Sequence, residues 1–498
     1  MIRTGIYIAA FFIAGITGAG AMVPARAVDR PAGKPNIILI VADDQGYGGI
    51  NCYPHNRKLE TPNIDQLAAS GAQLMQGYTS GHVCSPTRAG LLTGKYQQSF
   101  GFYSLSDPPA GGIPQSERLV SEYLKTGGYK TAAIGKWHIG DQIGNHPNNR
   151  GFDYFYGFLD GLHDYFNPII GGSWSGWYTG VAFTLENMNP VTEMKYATYE
   201  YTDRAVQFIE KSAGDPFFLY LPFNAVHSPL QAPEALLKEF AKDPGKPTRE
   251  ETLAAMTKAI DIGVGRILRT LAKNNLRENT LIFYISDNGG VNKFDNWKLR
   301  GKKGCYYEGG IRVPFIVSWP GVIPRGVQYS DPVMTIDIAP TIMQAAGMAG
   351  QQMQGVDLVP FLSGAKKQPP HEALFWGADK KRSDEVGKNE FAVRQGKWKL
   401  VSDPRIEKDF NLYDIDADPF ETKGLKDQYP EKYRELFALY TKWIGQQPEP
   451  MSKGWYQRFQ GLDMMRSYQR NYKRQQGKPV RVRIATDNLS GEQAGEEK

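Results

Sequence analysis

Asn36 to Ala42 reads NIILIVA, a continuous and largely β-branched apolar run with no polar alternation. A strand with one wet face alternates, so a run like this marks a strand buried on both faces, as in a parallel sheet covered by helices. Parallel strands need crossover connections, and the chain supplies them. Further strands are expected at Lys130 to Ile134, Phe217 to Leu221, Leu281 to Ser286 and Pro314 to Trp319. Between them, helical periodicity covers Tyr196 to Lys211, Arg249 to Ala272 and Ile336 to Ala346, and Thr61-Pro62 opens a helix through Ile64, Leu67 and Ala68 that closes at Gly71. The expected fold class is α/β, with a mostly parallel central sheet flanked by helices. From about Glu372 the texture changes. Phe391 to Arg394, Trp398 to Val401 and Phe410 to Tyr413 read as short antiparallel strands, followed by an amphipathic helix from Pro430 to Ile444. This predicts a smaller C-terminal α+β domain. At 498 residues the chain is long enough for such a division.

The N-terminus has Arg3, an apolar run from Ile6 to about Ile16 and a small-x-small site at Ala25-Arg26-Ala27, the pattern of a secretory signal cut after residue 27. The run is short for a membrane span and no later stretch reaches spanning length. The expected organisation is a signal peptide over 1–27, a catalytic domain over 28–365, a C-terminal subdomain over 366–448 and a basic arm over 449–498. An exported protein is expected, periplasmic or secreted, or lysosomal in a eukaryote. The net charge of +6 is unevenly spread. Residues 452–485 hold nine basic side chains against one acid, a net of +8, so the body is slightly acidic. The arm interleaves these charges with Trp455, Tyr456, Phe459, Tyr468 and Tyr472, a composition suited to binding a polyanion, or to an arm packed on the body or simply solvated.

In parallel sheets, sites form beyond the carboxyl ends of the strands. Asp43-Asp44 and Asp287-Asn288 stand at two such ends and offer a hard oxygen set that suits Ca²⁺. Lys136 and His138, in GKWH, follow a third strand, and His227 follows a fourth. Lys302 and Lys303 lie in RGKKGCYYEGG, where Gly301 and Gly304 permit close backbone approach. The remaining feature is HVCSPTRAGLLTG, residues 82–94. Pro86 fits a first helical turn, which puts Cys84 at a helix N-terminus where backbone N–H groups favour an anion. Arg88, one turn on, adds a planar fork of donors for an oxyanion. Three cysteines leave at least one unpaired; if Cys84 is the reactive one, Cys52 and Cys305 either pair or are two buried thiols.

The run Cys84-Ser85-Pro86-Thr87-Arg88 followed by Thr93-Gly94 resembles the signature of the type I, formylglycine-dependent sulfatases of the alkaline phosphatase superfamily. The blocks around Asp43, Lys136, His227, Asp287 and Lys303 resemble the family's other blocks, in its order, from about Pro35 to Gln446. The resemblance implies an arylsulfatase-like sulfuric ester hydrolase. Cys84 would be oxidised by a maturation enzyme to formylglycine, and Asp43, Asp44, Asp287 and Asn288 would hold one Ca²⁺. Arg88, Lys136, His138, His227 and Lys303 would surround the sulfate. Lys302 stands where many relatives have glycine; of the two lysines, Lys303 is the one expected to enter the site. By the same likeness, a hydrated formylglycine attacks sulfur, His227 or Lys303 protonates the departing oxygen, and the second hydroxyl expels sulfate.

The substrate expected from export and from the relatives is a sulfated carbohydrate, with no nucleic acid partner and no stable membrane anchor. The aromatic stretch from Phe152 to Tyr178 reads as a loop-rich region near the site that stacks on sugars or simply packs; His163 within it is a candidate substrate-binding residue. Two other readings stand beside this one. One is a phosphomonoester or phosphodiester hydrolase of the same superfamily, and the other a catalytically dead polyanion-binding protein, supported by the basic arm.

Overall fold

The computed structural model describes residues 33–451, except 55–58, 106, 108–110, 175–177, 292–294, 349–351, 378–389 and 407–409; for 171–181 only the backbone of the flanking strands is described. The segments expected to be a signal peptide, over 1–27, and a basic arm, over 449–498, lie outside the described residues, the latter from residue 452 on.

Asn36–Ala42 is the fully buried axis of a ten-stranded sheet. It pairs in parallel with Phe217–Pro222 on one side and Thr280–Ser286 on the other, and Lys130–Lys136 and Tyr154–Phe158 extend the parallel set. Its side chains alternate between two cores. Ile37, Leu39 and Val41 join the face covered by the helices Cys84–Thr93, Val120–Thr126 and Ile338–Ala345. Ile38, Ile40 and Ala42 join the face covered by Pro62–Ala69, Ala197–Lys211 and Arg249–Lys273. This double coverage is the reason the run carries no polar alternation. Phe315–Ser318 adds antiparallel to Thr280–Ser286, and two short strands, Ala72–Leu74 and Val327–Tyr329, complete that edge.

Four antiparallel strands, Leu374–Gly377, Phe391–Gln395, Trp398–Ser402 and Asn411–Asp414, form the C-terminal sheet, and the helix Pro430–Gly445 packs on it. The first of these was not anticipated, because LFWG is too short to show a period. The aromatic stretch also differs from expectation. Tyr154–Phe158 is a strand of the main sheet and Ile169–Trp174 pairs with Tyr178–Phe183 as a hairpin. Phe155, Tyr156, Phe158 and Tyr165 are packed in the cores, and Phe166 is the half-exposed ring, at 48%. The side chains of Trp174 and Trp177 lie outside the described residues. All three cysteines are free, so Cys52 and Cys305 are two separate thiols.

Candidate active site

The carboxyl ends of the parallel strands bring the expected residues together. Asp43 and Asp44 follow Ala42, Asp287 and Asn288 follow Ser286, and Lys136 ends its own strand. Adjacent parallel strands finish at the same level, so residues far apart in sequence meet there without long side-chain reach. Cys84 is the first residue of the helix Cys84–Thr93, which stops at Gly94 in the left-handed conformation, φ 68°. No side chain caps the N-terminus of this helix, which leaves its N–H groups facing the site.

Cations and carboxylates interlock. Lys136 Nζ lies 2.6 Å from Asp43 Oδ2. Arg88 Nε and Nη2 both donate to Asp287 Oδ2, at 2.9 and 2.7 Å, and Nη1 donates to the Lys136 carbonyl at 2.9 Å. Lys303 Nζ stands 2.6 Å from Asp44 Oδ1 and 3.4 Å from Cys84 Sγ. The Asn288 amide donates to Asp44 Oδ1 at 2.8 Å. His227 Nε2 is 3.6 Å from Asp44 Oδ2, and its Nδ1 lies 2.7 Å from the Ser228 carbonyl. Lys303, and not the exposed Lys302, enters the cluster; the Lys302 backbone is tied to the Cys305 thiol.

Burial and charge set the protonation states. Burial pushes Asp43 up to about 8, with Asp287 adding to it and Lys136 opposing. Burial also acts on Asp44, but Lys303, His227 and Lys136 outweigh it and hold that carboxyl below its ordinary range. His227 is pushed down to about 3, by burial first, and so stays neutral; His138 is lowered for the same reason, with Lys136 and Arg88 adding repulsion. Lys303 keeps its proton, because Asp44 and the other acids overcome burial. The Cys84 thiol is raised by burial despite Lys136 and Lys303, which makes the unmodified thiol a poor nucleophile.

The donor set fits a hard divalent cation. Asp43 Oδ1 and Asn288 Oδ1 are buried with no hydrogen-bond partner among the described residues, a costly arrangement unless a cation meets them. Asp43, Asp44, Cys84 and His227 offer ligand atoms all within 4.8 Å of one another. Asp287 is partly engaged, with Oδ2 on Arg88 and Oδ1 accepting from the Asp44 N–H at 3.2 Å.

His163 is the expected site residue that the fold keeps apart. It is 0% exposed, its ring lies 5.0 Å from that of Phe158, and its carbonyl accepts from Asn224 Nδ2. It therefore sits behind the His227 loop and supports it. Tyr165, which in sequence is one ring among many in the aromatic stretch, donates its hydroxyl to the Asn224 and His227 carbonyls at 2.7 and 2.9 Å. The sequence did not single out His82, Glu390 and Arg405, which meet beside the Lys303 turn; nothing in a lone Arg405 far down the chain signals that contact.

Known proteins resemble this chain over most of its length. The family described as Sulfatase matches residues 35–348, and the family described as N-sulphoglucosamine sulphohydrolase, C-terminal, matches residues 297–446. Human arylsulfatase D is 31% identical over 427 residues, covering 69% of this chain and 70% of that protein. Human steryl-sulfatase is 31% identical over 436 residues, covering 70% of this chain and 73% of its own. The crystal structure of Ps i-CgsB in complex with k-i-k-neocarrahexaose superposes with a TM-score of 0.75 at 32% identity, covering 88% of this chain and 98% of that one. A match over well over half the chain, with a sheet and a charge cluster of this form, leads to one assignment: the protein belongs to the sulfatase family and is a sulfuric ester hydrolase.

Proposed function

We propose that this enzyme is an exported glycan sulfatase, with Cys84 converted to formylglycine by a maturation enzyme and one Ca²⁺ held by Asp43, Asp44, Asp287 and Asn288. The observation that carries the reading is the position of Lys303 Nζ, 3.4 Å from Cys84 Sγ and 2.6 Å from Asp44 Oδ1. One ammonium thereby joins the nucleophile position to the acidic cluster. Conversion of Cys84 is supported by the match of residues 35–348, which include it, to the sulfatase family. Formylglycine supplies, once hydrated, a nucleophilic hydroxyl and a second one for release of sulfate, and Ca²⁺ supplies charge that acidifies it.

The chain's own side chains do the rest. Arg88 is locked by Asp287 and the Lys136 carbonyl, so it meets the charge of the sulfuryl oxygens without reorganising. Lys136 adds a second fixed cation, and neutral His138, 5% exposed with Nδ1 unpartnered among the described residues, offers a hydrogen bond. The departing oxygen needs a proton. With Nδ1 turned to the Ser228 carbonyl and the ring neutral, His227 presents Nε2 as an acceptor. Lys303 presents its side-chain nitrogen 3.4 Å from Cys84 Sγ, and is read here as the donor to the departing oxygen.

Export is supported by the N-terminal leader pattern; among the described residues no helix is long and apolar enough to cross a membrane. A carbohydrate substrate is supported by Ps i-CgsB, whose structure holds k-i-k-neocarrahexaose and matches over most of both chains. The test is the ratio of kcat/KM values for a sulfated oligosaccharide, a steroid sulfate, nitrophenyl sulfate and nitrophenyl phosphate. The oligosaccharide should lead and the phosphate should trail. Preference for the steroid sulfate would replace the substrate class, and preference for the phosphate would overturn the reading.

A further inference from the structure

The turn that carries Lys303 is held from two sides. Gly301 and Gly304 have φ of 82° and 91°, a left-handed pair that other residues adopt only under strain. Lys303 N donates to the Gly290 carbonyl at 3.0 Å, and Gly304 N donates to the His82 carbonyl at 2.8 Å, two residues before Cys84. From the other side, the Gly304 carbonyl accepts from Arg405 Nη2. Arg405 follows the C-terminal strand Trp398–Ser402 and is itself pinned. Its Nε and Nη2 fork onto the two oxygens of Asp403, fully buried, at 2.9 and 2.8 Å, and Nη2 lies 2.8 Å from Glu390 Oε2. The same Glu390 oxygen is 3.4 Å from His82 Nε2, and the His82 ring stacks on Tyr306 at 4.3 Å. Residues of the C-terminal domain thus touch both segments that carry the chemistry, the one with Lys303 and the one with Cys84.

Two carboxylates already neutralise the Arg405 guanidinium, so it is poorly placed to capture a further anion. What it contributes to the site is its hydrogen bond to the Gly304 carbonyl. We infer that Arg405 is a positioning residue: with Asp403 and Glu390 it fixes the Gly301–Gly304 turn, so that the C-terminal domain sets where the Lys303 ammonium stands relative to Cys84. The inference rests on the reading of Lys303 as proton donor to the departing oxygen. A displaced donor hurts most where the leaving group is poor, because a poor leaving group depends most on protonation in the transition state.

The test uses the full-length mature enzyme and a series of ring-substituted phenyl sulfates whose phenols span a range of acidity. In Arg405→Gln, kcat/KM should fall about tenfold on the poorest leaving group and about twofold or less on the best, with the loss in kcat rather than KM. The dependence on leaving-group acidity becomes steeper. Arg405→Lys, which keeps a cationic donor, should recover most of the rate, and Glu390→Gln should steepen the dependence more mildly, which gives a second reading if Arg405→Gln folds poorly. A uniform loss across the series, or none, with the normal wild-type dependence would overturn the inference alone. A wild-type dependence on leaving-group acidity as steep as that of the uncatalysed hydrolysis would overturn Lys303 as proton donor, and the inference with it.

Discussion

Two buried charge networks, one around Cys84 and one at the seam between the main and C-terminal sheets, are built from the same residue types and serve different ends. At the seam, Lys399 Nζ lies 2.7 Å from Glu308 Oε1 and 2.9 Å from Glu421 Oε1, and Glu308 Oε2 accepts from the Tyr78 hydroxyl at 2.8 Å. The Glu308 N–H donates to Glu421 Oε2 at 2.7 Å, and Arg394 reaches Tyr78 from the C-terminal sheet. Around these charges Tyr78, Tyr307 and Ile336 of the main domain pack with Trp376, Val401 and Tyr413 of the second. Glu308 is held below its ordinary range because Lys399, Arg312 and Arg394 outweigh its burial, while burial raises Glu421 to about 7, with Lys399 opposing and Glu308 adding to it. Around Cys84 the same mixture recurs, with Asp44 lowered and Asp43 raised. Asp43 is driven up by burial and by Asp287, and oxygens of Asp43 and Asn288 lack partners among the described residues. Burial of charge by itself therefore says little about function. The informative sign is the gathering of ligand atoms of Asp43, Asp44, Cys84 and His227 within 4.8 Å of one another.

That contrast yields predictions on each side. The largest effect belongs to Cys84→Ser, which should lower sulfatase turnover by roughly 10³-fold or more while leaving the melting temperature within a few degrees of wild type. Calorimetry beside the assay would show the separation. At the seam the pattern inverts. Lys399→Met strands two buried carboxylates and should cost about 3–5 kcal/mol of unfolding free energy in urea, with turnover per folded molecule nearly intact. A seam variant that folds normally would break the comparison.

Asp287→Ala removes the partner of Arg88 and a member of the acidic set, and should lower kcat about 10²-fold together with Ca²⁺ affinity. Calcium titration followed by calorimetry measures the second quantity independently of the reaction; unchanged affinity would take Asp287 out of the metal set. The smallest effect is a pH dependence at the seam. His371 Nε2 lies 2.9 Å from both oxygens of Asp337, and although burial lowers its pKa, the carboxylate more than compensates and raises it. A raised histidine contributes stability fully below its unfolded value near 6.5, and loses it as pH rises through the folded value. The stability gap between wild type and His371→Gln should therefore be widest near pH 6 and shrink toward pH 9. A gap that grows with pH would reverse the assigned sign.

The main sheet was legible because its strands are long and apolar. NIILIVA states its double burial outright, and the acids after it fall at a predictable height. Cys84, Arg88 and the Lys303 turn were legible because helix-start and glycine chemistry are local. What could not be read was anything decided by packing between distant segments. Tyr154–Phe158 is rich in aromatics and was taken for a loop, since its role as a sheet strand comes from pairing with Lys130–Lys136. His163 stood near other site-like residues in sequence, yet its ring is turned into the core against Phe158. The contact of Arg405 with Gly304 joins segments far apart in the chain, and no periodicity or motif announces it.

The central claim is that the chemistry runs through a modified Cys84 in an intact acidic and cationic cluster. Tandem mass spectrometry of the peptide spanning residue 84, taken from protein shown to turn over a sulfate ester, tests it most directly. An aldehyde should stand in place of the thiol at that position, trapped by a hydrazide and resistant to alkylation. A fully active preparation in which Cys84 is an unmodified, alkylatable thiol would contradict it.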